Sequence, residues 1–419
     1  MTTTIRPTPA AAATQRGPAA PTGLPSLLRS PRRRALPRPV EFTLLASIIV
    51  FFLASSSAPT PLYGTYQAEW HFSPITTTVV FGTYALAVLV ALLTVGKLSD
   101  HIGRRPVLLA AIAVQLAAMG VFLAADGVPE LLIGRVLQGI ATGAAAGAVG
   151  AGLLDLNRLR GTLANAVATP IGTATGALGA GLLVQFLPAP THLVYVVLMV
   201  IFALQAVGVL VMSETVTPKA GALASLVPDF ALPAAVRRPL VVAVPALVSV
   251  WALAGFYGSV GPALTETVTG SSALVLGGLG LFTLAGAGAL AVLLLRNRAP
   301  RLVMQFGLAA LIVGVGVSLV GVHRSSTTVF FVGNVLAGVG FGGGFQGSVR
   351  TVLPFAEAHQ RSGVLSVIYT VCYLAMGLPA VAAGFLVVDA GGLLDTAYQY
   401  GGAVMVLAAV ALGALSRRR

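Results

Sequence analysis

One face of a long apolar stretch carries the residues of this chain that are best suited to chemistry. Arg135, Gln138 and Thr142 are spaced so that a helix places them on the same side. A charged side chain costs about 2.5 to 3.5 kcal/mol at the centre of a membrane helix, so it usually faces protein or water. We expect this face to line a cavity where a charge and two hydrogen-bonding groups act on a solute. The alternative is that Arg135 extends to the outer lipid headgroups.

A second polar group occupies residues 96–105, between two long apolar stretches. Gly96 and Gly103 allow tight backbone turns, whereas Asp100, Arg104 and Arg105 supply charges. A loop this short can hold two membrane helices together on one face of a bilayer and can bond to a neighbouring part of the molecule. The alternative is that its charges anchor the loop at the lipid headgroups.

Membrane helices are the elements that must position these residues. The chain is 57% hydrophobic and 9% charged, whereas a soluble domain has about 25% charged residues. Twelve stretches approach the length of about 20 apolar residues that crosses a bilayer. The sequence therefore predicts an all-α integral membrane protein with twelve transmembrane helices, and the 49 glycines suit close helix packing.

The net charge of +13 would be compatible with nucleic-acid binding, but the placement of the charges argues against it. If the N-terminus is inside, every Lys and Arg except Arg135 and Arg324 falls on the cytoplasmic side of the twelve spans. This is the positive-inside bias of membrane proteins. We therefore predict a multi-pass protein of the plasma or inner membrane with both termini in the cytoplasm, and no nucleic-acid partner.

The inventory of reactive groups argues against an enzyme. Cys372 is the only cysteine and lies in an apolar stretch, so neither a disulfide within the chain nor a cysteine metal cluster is expected. The sequence contains no phosphate-binding loop, metal triad or nucleophile–base pair. We therefore predict no catalytic residues, no metal and no cofactor, and an ATP-driven pump is disfavoured.

An internal repeat indicates how the chain is organised. Residues 134–143 and 333–342 share five of ten positions at a constant offset of 199 residues. Such a repeat predicts two parallel, pseudo-symmetric six-helix halves. We place a disordered cytosolic tail at residues 1–38, the first half at 39–212, a cytoplasmic linker at 213–239 and the second half at 240–416. The linker is expected to be a plain tether rather than an amphipathic segment on the membrane.

The loop of residues 96–105 reads Gly-Lys-Leu-Ser-Asp-His-Ile-Gly-Arg-Arg and resembles the signature G-x-L-[Ser/Ala/Asp]-D-x-x-G-R-[Arg/Lys] of the major facilitator superfamily of secondary transporters. The resemblance implies a bundle that opens alternately to two sides, with this loop as a conformational latch. Asp100 is then implied to face Gly363 at the start of the eleventh span when the inner side is closed. Arg104 is implied to bridge to Asp155 at the inner end of the fourth span.

Two further motifs are similar to motifs of this superfamily, and the second of them indicates its bacterial twelve-span, drug-efflux-like branch. The pattern Leu131-x-x-x-Arg135-x-x-Gln138-Gly139 is similar to a fourth-span motif whose arginine faces the central cavity and is implicated in proton transfer. The glycine-rich stretch of residues 170–181 partly resembles an exporter motif, but it lacks the internal proline. Its glycines are equally consistent with close helix packing.

Substrate contacts can be nominated only by their position on spans that line the cavity in this family, and packing is the alternative for each. Asn334 lies on the face of the tenth span equivalent to that of Arg135. The other candidates are polar or aromatic residues in apolar surroundings: Tyr84, Trp251, Tyr257, Phe341, Phe345 and Gln346. Tyr63, Tyr66 and Trp70 are expected to belong to an interfacial aromatic belt.

The sequence gives no clear proton carrier, since none of the twelve acids lies well inside a span. We nevertheless predict a monomeric transporter that exports a small hydrophobic or cationic compound by alternating access, as an antiporter coupled to protons. The alternatives are uptake or facilitated transport of a metabolite such as a sugar or organic acid, and a receptor that does not transport.

Overall fold

The structure, a computed structural model, describes residues 36–230, 232–357 and 359–417. Within these residues the chain is all-helical, and twelve helical segments are long and apolar enough to cross a membrane, as predicted. The predicted tail lies outside the described residues up to residue 35, and Arg38 already begins the first helix. We number the segments span 1 to span 12 in chain order: Arg38–Trp70, Pro74–Val95, Arg104–Leu123, Val128–Leu156, Arg158–Phe186, Pro190–Val211, Ala234–Ser259, Leu274–Leu295, Pro300–His323, Thr327–Phe355, Arg361–Asp389 and Gly392–Ser416.

Several spans begin before the apolar stretch that identifies them, because their first turns are polar or start with proline. Pro74, Pro190 and Pro300 are the first residues of spans 2, 6 and 9, where the missing N–H has no role in the helix. Span 5 is instead capped by Asn157, whose side-chain oxygen accepts the N–H of Arg160 at 2.9 Å. Span 7 starts at Ala234, so the helix already includes the last residues assigned to the linker.

Span 1 is interrupted near the middle of its length. An α-helix covers Arg38–Ser57, a 3₁₀ turn covers Thr60–Leu62, and a second α-helix covers Tyr63–Trp70. Pro59 and Pro61 have no N–H, so they cannot donate to the carbonyl oxygens four residues earlier. The break therefore leaves carbonyl groups of span 1 in need of other donors.

Two large apolar cores divide the helices into two sets of six, and a third, small cluster around Val292 joins span 8 to span 5. The first core is built from buried side chains of spans 1–6, such as Phe52 and Phe202, whose ring centroids are 5.1 Å apart. The second core is built from spans 7–12 together with Ala177 of span 5. The main contacts between the two sets are made by span 2 with span 11 and by span 5 with span 8. This is the pseudo-symmetric two-half arrangement predicted from the repeat.

Glycines of the repeat have equivalent packing roles in the two halves. Gly139 and Gly143 of span 4 lie against the backbone of span 2, and a Cβ at either position would collide with it. Gly338 and Gly342 of span 10, each 199 residues further on, lie in the same way against span 8. Close backbone approach through small residues is a common basis of helix association in membranes.

The two ends of the bundle are identified by contacts between distant parts of the chain. The N–H of Ser213, just after span 6, donates to Glu41 at the start of span 1 at 2.7 Å. The N–H of Lys219 donates to the carbonyl oxygen of His101, in the turn between spans 2 and 3, at 2.9 Å. We call the end that holds these groups the linker end and the other the opposite end.

Candidate functional site

Arg135 of span 4 is completely buried and is hydrogen-bonded to the broken part of span 1. Its Nη1 donates to the carbonyl oxygen of Ser56 at 2.7 Å and to Oε1 of Gln138 at 2.7 Å. Its Nη2 donates to the hydroxyl of Tyr63. The guanidinium is thus held inside the first half, and the side chain does not extend to the end of the bundle.

The prolines of span 1 explain why span 4 carries these polar residues. In an unbroken helix the carbonyl oxygen of Ser55 would accept the N–H of residue 59, which is a proline here. Gln138 supplies the missing donor, since its Nε2 donates to the Ser55 carbonyl oxygen at 2.9 Å. Arg135 and Gln138 therefore donate to carbonyl oxygens at the break in span 1, in addition to bonding one another. Ser55 was not among the residues predicted from the sequence, although the proline four residues later was the available signal.

Aromatic rings surround the Arg135 guanidinium. Its Cζ lies 5.6 Å from the ring centroid of Tyr63, 5.4 Å from that of Tyr84 and 6.0 Å from that of Phe122. Each desolvated cation–π contact of this kind contributes up to about 2 kcal/mol. Tyr63 and Tyr66 are buried within the bundle, and the Tyr66 hydroxyl bonds that of Tyr195 at 3.0 Å, so their assignment to an interfacial belt is wrong.

One donor of this guanidinium, the Nε–H of Arg135, is buried without a hydrogen-bond partner among the described residues. The Tyr84 hydroxyl lies beside those of Ser56 and Thr142, within hydrogen-bonding reach. An unsatisfied buried donor or acceptor costs about 1 to 3 kcal/mol, so such atoms are rare in native structures. The free Nε–H therefore marks this region as a place where a polar group of a ligand would be stabilised.

The second half contributes an aromatic group to the same region. The Trp251 ring lies 5.5 Å from that of Phe345 and 5.2 Å from that of Tyr373, which joins spans 7, 10 and 11. Span 11 lies against span 2 of the first half here, since a Cβ on Gly377, one turn after Tyr373, would be 3.3 Å from that of Ala85, which follows Tyr84. The indole N–H of Trp251 also has no partner within the part of the chain that the structure describes. We call Arg135, Tyr84, Thr142, Trp251, Phe345 and Tyr373 the central cluster.

The remaining nominated residues lie outside the central cluster. Asn334 donates to the Gly280 carbonyl oxygen at 2.7 Å and to Thr283 Oγ1 at 2.8 Å, both in span 8. Gln346 and Phe341 also contact span 8, through the Val292 carbonyl oxygen and the backbone near Gly288. Tyr257 packs inside the second half, with its ring 6.4 Å from that of Phe330. These contacts hold span 10 to span 8 and fill the second core.

At the linker end, Arg104 connects the turn after span 2 to the end of span 4. Its guanidinium bonds Asp100 at 2.5 Å, Ser99 at 2.7 Å and Asp155 at 3.2 Å. The Asp100 side chain is 47% exposed, and its bonding partner among the described residues is Arg104. Within the part of the chain that the structure describes, the Asp100 carboxylate therefore accepts no hydrogen bond from the start of span 11 near Gly363.

Glu214, which the sequence analysis missed, fixes the start of span 3. Its carboxylate accepts the backbone N–H of Arg104 at 2.9 Å and that of Arg105 at 3.0 Å. These are N–H groups of the first helical turn, which have no partner inside the helix, and a negative charge there is favoured by the helix dipole. Gly103 precedes them at φ 105°, a backbone conformation that favours glycine.

Further bonds fasten the linker to the first half. The Thr215 hydroxyl donates to Asp155 at 3.0 Å, and Lys97 forms an ion pair with Asp229 at 3.0 Å. With the bonds of Ser213 and Lys219, they connect the linker to the first half at points from residue 213 to residue 229. The linker is therefore docked on the first half along most of its length, and the expectation of a plain tether is wrong.

At the opposite end, the two halves contact each other closely. The Thr60 hydroxyl of span 1 donates to the Gly258 carbonyl oxygen of span 7 at 3.2 Å. Gly384 of span 11 lies against Thr78 and the backbone of Ile75 in span 2, without room for a Cβ. The halves are thus in close contact at this end. Towards the linker end they also contact each other through Val167 and Val292, whereas Asp100 bonds within its own half.

The acids of the chain are placed at the ends of the bundle. All twelve lie within the described residues, and Glu41 is the one that is buried, at 2% exposure. It is the fourth residue of span 1, and its carboxylate accepts the Ser213 N–H. No group of three or more His, Cys, Asp or Glu side chains that could hold a metal occurs in residues 36–230, 232–357 and 359–417.

Comparisons with known proteins agree with this architecture. A sequence-family model of the Major Facilitator Superfamily matches residues 43–380. A mutant of the nucleoside transporter NupG is similar in structure, with a TM-score of 0.68 at 11% identity over 90% of this chain and 100% of that one. A bacterial homologue of the human lysosomal transporter Spinster gives a TM-score of 0.72 at 14% identity over 90% and 97%. None of the curated protein sequences matches this chain significantly.

Proposed function

This chain belongs to the major facilitator superfamily of membrane transporters, and on that premise we propose that it exports a small, largely apolar organic compound in exchange for protons. The observation that supports the choice of solute is the central cluster. It offers aromatic rings from both halves and few polar groups, whereas a sugar site would need many hydrogen-bonding side chains. Because the compound contacts both halves, its passage is coupled to their relative motion.

The different contacts at the two ends support a proposal of alternating access. In the structure the halves meet at the opposite end through Thr60, Gly258 and Gly384, and Asp100 bonds within its own half. We propose that rocking of the halves separates the opposite end and brings Asp100 to the start of span 11. The docked linker and the residues 96–105 then move with the first half as one body.

The orientation that we propose places the linker end in the cytoplasm. Apart from Arg135 and Arg324, every Lys and Arg is assigned to that side by the alternation of the twelve spans. Both termini are then cytoplasmic, and the membrane is the plasma or inner membrane. With the opposite end closed, the central cluster would be reached from the cytoplasm, as an exporter requires.

Glu41 is the residue that we propose as the proton carrier. It is the one buried acid among the twelve, all of which are described. When ionised, its carboxylate accepts the Ser213 N–H, and protonation would weaken that bond and loosen span 1 from the start of the linker. Proton exchange at Glu41 would therefore act on the interface between span 1 and the linker.

Uptake or facilitated transport of an organic acid is the second candidate. It is favoured by the buried charge of Arg135, because a fixed cation attracts an anionic solute and repels a cationic one. The cationic substrates that the sequence also suggested have no acid in the central cluster with which to pair.

Inside-out membrane vesicles test the proposed function. After respiration acidifies the vesicle interior and quenches an acridine dye, an exported compound that exchanges for protons should restore the fluorescence. Vesicles that contain a Gly384→Val variant serve as the control, since the side chain cannot fit where the halves close. Accumulation of a compound without any dye response in the parent protein would contradict proton exchange and favour facilitated transport.

A further inference from the structure

We propose that the transported compound carries a carboxylate, which binds the free edge of the Arg135 guanidinium, while its apolar body lies against Trp251, Phe345 and Tyr373. The inference deepens the proposed function, because it names the substrate class of the same site. It is argued from the hydrogen bonds, the charges and the ring contacts of the central cluster.

The charge of Arg135 is not balanced by an acid. Its acceptors are a backbone carbonyl, an amide oxygen and a phenol, all of them neutral. Desolvating an ion costs several kcal/mol, and arginine does not avoid this cost by losing its proton. In the described residues Arg135 forms no ion pair, so an anionic ligand is the partner that would offset the cost.

The guanidinium also has donors to spare. It carries five N–H groups, of which two on Nη1 and one on Nη2 are used by Ser56, Gln138 and Tyr63. The Nε–H and one N–H on Nη2 remain, and Nε is buried without a partner among the residues the structure describes. Two donors on one edge of a planar guanidinium match the two oxygens of a carboxylate.

The neighbouring groups favour the same ligand. The indole N–H of Trp251 is likewise buried and unpartnered in the described chain. The hydroxyls of Tyr84 and Thr142 lie within hydrogen-bonding reach of each other, and both can donate to an anion. The Tyr84 ring centroid lies 5.4 Å from the Arg135 Cζ, and the ring centroids of Trp251 and Tyr373 are 5.2 Å apart. The two groups are joined where Gly377 of span 11 packs on Ala85 of span 2. A single compound with one ring and one carboxylate therefore has both kinds of partner within a continuous site.

The experiment uses the intrinsic fluorescence of Trp251. The chain has two tryptophans, Trp70 and Trp251, so Trp70→Phe leaves Trp251 as the only one. The purified full-length variant in detergent is titrated with phenylacetate, phenylacetamide and phenethylamine, which share a ring and differ in charge. We expect saturable changes with phenylacetate, binding at least tenfold weaker with the amide, and no binding of the amine. Equal affinity for all three probes, or no saturable response to any of them, overturns the inference.

Substitution of Arg135 tests whether its guanidinium causes the preference for phenylacetate over the amide. In Arg135→Gln the affinity for phenylacetate should fall at least tenfold, to the level of the amide, and Arg135→Lys should give an intermediate value. Arg324→Gln is the matched control, because Arg324 is exposed near the opposite end. If Arg135→Gln does not fold, Thr142→Val removes a single hydroxyl beside that of Tyr84 and should weaken phenylacetate binding about threefold, with the amide unaffected. A preference for the acid that persists unchanged in these variants overturns the inference.

These experiments distinguish a failure of this inference from a failure of the proposed function. Proton-linked export of neutral compounds without any acid preference would uphold the proposed function and overturn this inference. Acid-selective binding through Arg135 without a dye response in vesicles would uphold this inference and contradict proton exchange.

Discussion

Arg135 Nη1 donates to the carbonyl oxygen of Ser56 at 2.7 Å, across 79 residues of sequence, and so joins span 4 to the break in span 1. The neighbouring bond from Gln138 to the Ser55 carbonyl oxygen, at 2.9 Å, has the same role. The same side chain that faces the central cluster thus also stabilises an interrupted helix. A ligand on Arg135 would therefore act directly on the part of span 1 that contacts the second half through Thr60.

The role of Gln138 as donor to the Ser55 carbonyl oxygen can be tested by giving that oxygen a different donor. Gln138→Leu leaves the buried Ser55 carbonyl oxygen without a donor and should lower the free energy of unfolding by about 1 to 3 kcal/mol. Pro59→Ala restores an N–H four residues after Ser55, so the same leucine substitution should cost less in that background. Thermal or denaturant unfolding of the four proteins measures the coupling. Additive effects of the two changes would show that Gln138 and Pro59 do not act on the same carbonyl.

Glu214 provides a test of the docked linker. Glu214→Ala removes the acceptor for the N–H groups of Arg104 and Arg105 and should destabilise the start of span 3 by about 1 to 2 kcal/mol. Amide hydrogen exchange in residues 213–221 should become faster, while the second half is unchanged. Glu69→Ala is the control, because Glu69 is an exposed acid at the opposite end. Equal exchange in the two variants would contradict the capping role of Glu214.

Gly384 should control closure of the opposite end. Gly384→Val places a side chain against Thr78 and Ile75, so the halves should be held apart there. In a Cys372→Ser background, Thr60→Cys is buried and should react slowly with an impermeant maleimide, and Gly384→Val should raise that rate at least tenfold. Gly402→Val is the matched control, since a Cβ at Gly402 has no neighbour within 4 Å. A rate unaffected by Gly384→Val would mean that this contact does not close the bundle.

Asp100 distinguishes a latch from a lipid anchor. If Asp100 stabilises the start of span 11 in the alternative state, Asp100→Asn should disfavour that state by about 0.3 to 1 kcal/mol. The maleimide rate of Thr60→Cys should then fall about two- to fivefold. Asp126→Asn, an acid near the opposite end, should leave the rate unchanged. A simple anchoring role at the headgroups would give the same rate for Asp100→Asn and the parent.

The sequence predicted the number of spans and the two halves because these depend on composition, helix length and the repeat. It also brought Arg135, Gln138 and Thr142 to one helix face, since helical spacing is local information. It could not predict that Glu214 caps span 3 or that Tyr63 bonds Arg135, because these partners come from distant positions with no shared pattern. Tyr257 and Gln346 were nominated from residue type, which does not tell whether a side chain faces the cluster or a neighbouring span.

Alternating access is tested most directly by distances between the halves in a lipid bilayer. Spin labels at Glu69 and Glu266 report on the opposite end, and labels at Leu159 and Ser362 report on the linker end; all four residues are exposed. In liposomes we expect two populations of distances, and the Gly384→Val variant should lengthen the first distance while it shortens the second. Distances that stay constant, or that change in the same direction at both ends, would contradict the rocking of two halves about the central cluster.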